Sequence, residues 1–87
     1  MHEKSVMESV MRAIEQLAQD EKVKKITVVR VRLGALSHMS KEHFQEHFTI
    51  AAKGTIAENA VVEAEVSEDL NDPGAKDILI RSIDVAT

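Results

Sequence analysis

Apolar residues return every three to four positions near the start of the chain, with Val6, Val10, Ile14 and Leu17 on one face at helical spacing. Ser5 with Glu8 three residues later reads as a capping box, so the spacing predicts a first helix over about residues 5–20. Met7, Met11 and Ala13 widen its apolar stripe, and the methionines are read as core filling rather than as soft-metal ligands. The period then shortens to two. In KKITVVRVRLG, Val29, Val31 and Leu33 alternate with Arg30 and Arg32, a strand packed on one side that ends at Gly34. A second helix is predicted over residues 41–53: Ser40 is its N-cap, and Met39 and Phe44 are placed to form a hydrophobic staple. Phe44, Phe48 and Ala51 carry its buried face, and Lys53 followed by Gly54 stops it. AVVEAEV alternates Val62, Ala64 and Val66 against Glu63 and Glu65, and DILIRSIDV supplies a further β-rich run. Between them lies SEDLNDPGAKD, whose Asp72-Pro73-Gly74 is a turn signal in a connection longer than a minimal hairpin needs.

The order α-β-α-β-β predicts an α/β (α+β) fold in which two helices pack on one face of a small three-stranded mixed sheet. A strand-helix-strand crossover makes the first two strands parallel, and the last strand is expected antiparallel to its predecessor. At 87 residues the whole chain, 1–87, reads as a single domain, too small for the two-domain cleft of most enzymes.

Composition narrows the chemistry. The formal charge of -4 offers no basic stripe for phosphates, and two Phe with no Trp or Tyr provide no stacking platform, so nucleic acid is not expected as a partner. With no cysteine, disulfides and thiolate chemistry are excluded, and any metal must sit on nitrogen and oxygen ligands. No apolar run reaches the length of a membrane span, and charges at Glu3, Lys4, Glu8, Arg12, Glu15 and Asp20 interrupt any signal-peptide core. The expected location is the cytoplasm, with the N-terminus left in place and Met1 retained before the bulky His2.

The histidines are His2, His38, His43 and His47. His43, Glu46 and His47 in HFQEH match the H-x-x-E-H pattern of inverted zinc peptidases, but one small domain has little material for a third ligand and a cleft. The alternative is two exposed histidines at the solvent margin of the helix that could pick up stray zinc or nickel from buffer. Glu63, Glu65, Glu68 and Asp69 read as the solvated side of a strand running into a loop, and no catalytic constellation is assigned. At the start of the chain, His2 offers its imidazole, the amide between it and Met1, and the terminal amine, which together close two fused chelate rings. Displacing an amide proton takes a strongly bonding ion, and square-planar nitrogen ligation is the preference of Ni(II) and Cu(II). Glu3 can ligate or support from outside. Binding needs the neutral imidazole, so affinity should fall as pH drops through about 6.5.

MHEKSV at the start, LGALS closing the first strand, KGTIAENA after the second helix and the terminal ILIRSIDV together resemble the HypA family of nickel-insertion proteins. The resemblance implies a nickel-binding α/β domain that delivers Ni(II) during maturation of [NiFe] hydrogenase or urease. Its implied partners are a maturation GTPase and the nickel-enzyme precursor. It implies Met1 and His2 as ligands, with Glu3 supporting them. The family carries a zinc domain with two C-x-x-C pairs between its last two strands; here residues 67–77 take that place, so no structural zinc is expected. Family members often have an acidic residue just before the second helix, where this chain has Ser40, and His38 in the same loop can substitute if it points toward residue 2. The alternative is an interaction module of the same descent that has lost metal transfer. An open sheet edge would also allow a homodimer.

Overall fold

The computed structural model describes residues 3–19 and 23–87, with side chains from Ser5 onward. The order is α1 (Glu3–Leu17), β1 (Lys25–Leu33), α2 (Lys41–Ala52), β2 (Val61–Val66) and β3 (Ile78–Ala86), the expected two helices and three-stranded mixed sheet. β1 is central, parallel to β2 and antiparallel to β3. The helices cover one face, where Ile14, Ile26, Val29, Val31, Leu33, Phe44 and Phe48 are buried to 1% exposure or less.

α1 differs from its expected form. It begins at Glu3, so Ser5 is a helical residue and not the cap, and it ends at Leu17 rather than near 20. Burial of Met7 and Val10 holds the first turns down, and an acidic residue in the opening turn suits the positive end of the helix dipole. The buried stripe runs through Met7, Val10, Ile14 and Ala18, whereas Leu17, expected inside, is 54% exposed. Small Ala18 lets the chain turn against the sheet, with its N–H on the Ile14 carbonyl at 3.1 Å and that of Gln19 on Gln16 at 3.3 Å. Met7 is buried and Met11 half-buried against the same core, as expected of core methionines.

β1 does not keep one side-chain parity throughout. Ile26 and Val29 both face the helices because Thr27 is an extra residue against β3, between the pairs Ile26–Val85 and Val28–Asp84. A second irregularity leaves Arg81 between the partners of Arg30 and Val31, which shifts the inward set of β3 from Ile78 and Ile80 to Ile83.

α2 is capped as expected: the Ser40 hydroxyl accepts from the His43 N–H at 3.0 Å. Its fully buried face is Phe44, Phe48 and Ala52, with Ala51 half-buried beside them. Lys53 ends the helix by turning extended, and Gly54 at φ +82 completes the turn that follows, closed by the Thr55 N–H on the Ala52 carbonyl at 3.0 Å.

The last strand is antiparallel to β2 in direction, as expected, but is hydrogen-bonded to β1 on the opposite side. The 67–77 connection is long enough to pass the end of β1, and it is built for that path. Ser67 donates its N–H to the Leu33 carbonyl at 2.9 Å, Gly34 to Asp77 at 2.9 Å, and Leu36 to Ala75 at 2.7 Å. A Cβ on Gly34 would lie 2.2 Å from the Ala75 carbonyl oxygen, so only glycine admits this approach. Asp69 and Asp72 carboxylates accept from the N–H groups of Asn71 and Gly74, and buried Ala75 pins the far end.

Candidate metal site beside the first helix

The loop after β1 is shaped by the hydrogen bonds just described and by a turn from the Ser37 N–H to the Gly34 carbonyl at 3.0 Å. It delivers Ser37, His38 and Met39 to the end of a groove of about 960 Å³. One wall of that groove is α1, through Ser5, Ser9 and Ala13; the other is β3, through Ile78 and Ile80. His38 is exposed and held at φ +59, a conformation that a residue with a side chain adopts at a cost. The Ser37 hydroxyl beside it is buried with no hydrogen-bond partner among the described residues.

Met1 and His2 lie outside the described residues, and so does the side chain of Glu3, whose backbone opens α1. The geometry therefore brings His38 into one groove with the first turns of α1, at Ser5 and Ser9. Ser40, at the position where an acid was expected from the resemblance, has its hydroxyl engaged in capping α2.

His43 and His47 lie on adjacent turns of α2, half-buried, with ring centroids 4.5 Å apart. His47 lines the groove toward α1, together with Met7 and Met11. Glu46 instead lines the groove toward β2 with Val62 and Ala64. The glutamate and His47 thus line grooves on opposite flanks of the helix. Among the described residues no three His, Asp or Glu side chains group around a point where an ion could sit.

The carboxylates on the open face of the sheet are occupied by arginines. Arg30 on central β1 forks both guanidinium nitrogens onto Asp84 of β3 at 2.9 Å each and sends Nε to Glu63 of β2 at 3.0 Å. The hydrogen bonds from Arg30 hold the Asp84 carboxyl below its ordinary value, and the Arg30 guanidinium is raised in turn, chiefly by the bonds to Asp84. Arg81 reaches Glu65 at 2.8 Å, while Arg32 meets Ser67 at 3.1 Å and Asp72 at 3.4 Å. Glu63 and Glu65 lie on the solvated side of the strand, as their alternation suggested, and each is paired there with an arginine. The β3 wall of the groove is likewise invisible to a linear pattern, because the signal for it lies in which strand pairs with which.

The family model described as "Hydrogenase/urease nickel incorporation, metallochaperone, hypA" matches residues 1–70. The chain belongs to the HypA family. Among HypA relatives, the hydrogenase maturation factor HypA of Archaeoglobus fulgidus is 42% identical over 66 residues, covering 76% of this chain and 60% of that protein. The factor of the same name from Methylocella silvestris is 35% identical over 66 residues, covering 76% of this chain and 58% of its own length. That of Methanococcus aeolicus is 32% identical over 61 residues, covering 70% and 50%. The chain thus spans less than two thirds of the length of these HypA relatives. Its matched region includes α1, the His38 loop and α2, and stops inside the connection that leads to β3. No helix among the described residues is long and apolar enough to cross a membrane.

Proposed function

We propose that this chain is a non-catalytic nickel carrier of the HypA type. It holds Ni(II) through the amine and amide nitrogens of Met1 and His2 and the His2 imidazole. Glu3 supports the site, and His38 is the candidate for completing it in place of an acid at position 40. The ion is cargo, passed by contact to the precursor of [NiFe] hydrogenase or urease in the cytoplasm with a maturation GTPase. The observation that carries this reading is that α1 begins at Glu3 and its first turns share a groove with His38. A chelate on Met1 and His2 would then ride on a packed helix beside an exposed imidazole. Residues 1–87 act as one nickel-binding domain in which 67–77 stands where the family has its zinc domain. With no cysteine in the sequence, no thiolate zinc site can form there.

The test titrates Ni(II) into protein beginning at Met1, into an N-terminally extended form, and into His2→Ala. A square-planar visible band is expected with the free terminus alone, because only that form can contribute a deprotonated amide between amine and imidazole. The same band in all three, or in none, would overturn the chelate. Its absence would leave the chain as a HypA-like interaction module.

A further inference from the structure

We propose that His43 and His47 form a second Ni(II) site, borne on successive turns of α2. Three features of the fold support it. The rings stand 4.5 Å apart, closer than the ~5.4 Å rise of one helical turn, so the two imidazoles lean toward one another. One ion bonded to each nitrogen at about 2.0–2.1 Å can bridge that gap by small side-chain rotations. The turn that carries His43 is fixed by the Ser40 cap at 3.0 Å, and Phe44 and Phe48, buried to 1% exposure or less, anchor the helix from beneath. The pair therefore starts near its binding geometry, with little ordering left to do. His47 also lines the groove toward α1 with Met7, Glu8, Met11, Arg12 and Glu15, and these walls limit the rotamers open to it.

Imidazole nitrogens suit nickel, zinc and copper, and are poor ligands for magnesium and calcium. With two protein ligands and no third His, Asp or Glu grouped with them among the described residues, the remaining positions on the ion fall to water. A site of that kind loads and releases readily. It also differs in electronic character from the terminal chelate: two imidazoles and water leave Ni(II) six-coordinate and paramagnetic, without the square-planar band. The choice of nickel as the ion rests on the carrier function proposed above; the site itself does not.

Four proteins titrated with nickel chloride separate the two sites: the chain beginning at Met1, the N-terminally extended chain, His47→Gln, and the extended chain carrying His47→Gln. The expected outcome is two equivalents bound by the first, one by each of the next two, and none by the last. The extended chain should rise in melting temperature on adding Ni(II), since an ion that bridges two turns binds only the folded helix. His47→Gln in the extended chain should abolish that rise. His43→Gln serves as the second variant and should act alike. If the extended chain binds no Ni(II), or binds it equally with either histidine replaced, the helix site is wrong whatever the terminal chelate does. If His47→Gln weakens only the square-planar species, the pair belongs to the terminal site and the proposal also fails.

Discussion

His38 is held at φ +59 and exposed, although neither burial nor packing asks for a histidine there. Among the described residues Asn59 is the other non-glycine residue at positive φ, and its short polar side chain is of the type that tolerates that conformation. For a residue such as histidine the left-handed conformation costs roughly 1–2 kcal/mol, while glycine loses roughly 0.5–1 kcal/mol more entropy on folding. His38→Gly should therefore raise stability by a few tenths of a kcal/mol up to about 1 kcal/mol, read by urea denaturation. If the imidazole completes the nickel site, the same substitution lowers Ni(II) affinity by roughly tenfold or more. Opposite signs in the two measurements would identify a residue kept for binding at the expense of backbone comfort. A gain in stability with unchanged nickel affinity would show that His38 serves no ligand role.

Among the elements, the central strand is tied to both neighbours on its open face by one side chain, Arg30, through Glu63 and Asp84. Hydrogen bonds from Arg30 keep the folded-state Asp84 carboxyl below its ordinary value, so its contribution is present above the unfolded value and fades as pH falls through the folded one. Both partners are exposed, so the effect is modest. Asp84→Asn should lower the melting temperature at neutral pH, and the gap to the parent should narrow as pH falls below about 4. A gap constant from pH 7 to pH 2 would show that the loss is one of packing and not of charge. Arg30 and Arg32 were legible as the outward positions of a strand, because period-two alternation says which face a residue takes. Alternation is silent on partners, so neither the Arg30 clamp nor the pairing of β3 with β1 could be read from it. It also assumes unbroken parity, which the extra residues at Thr27 and Arg81 remove. In α1 the helical spacing found the right element and set its stripe slightly off: it places Leu17 on the inner face, whereas Ala18 is the buried residue and Leu17 is exposed. The α2 cap and stop were legible because Ser40 and Gly54 act on their immediate neighbours.

The whole molecule depends on a crossing that joins its two halves. Beyond the region shared with the HypA family model, the chain passes the end of β1 and returns as β3 to form the second wall of the groove beside α1. The groove that holds His38 is thus completed by a strand remote in sequence from α1 and from the His38 loop, which is why a linear pattern does not show it. That return path rests on Gly34, whose backbone lies against Ala75 and Asp77 so closely that a methyl group has no room. Gly34→Ala must push the connection off β1, loosening the Gly34–Asp77 and Leu36–Ala75 hydrogen bonds that also shape the His38 loop. The clash is with backbone and cannot be relieved by a rotamer, so a loss of about 1–3 kcal/mol is expected, with a fall in melting temperature of roughly 4–8 °C for each kcal/mol. Displacing the loop also moves His38 relative to the first turns of α1, while α2 is anchored independently by Phe44 and Phe48. Nickel binding measured well below the melting temperature should therefore weaken at the terminal chelate and stay unchanged at His43 and His47. Equal weakening at both would mean that the substitution loosens the fold as a whole, and that the crossing has no particular hold on the His38 loop.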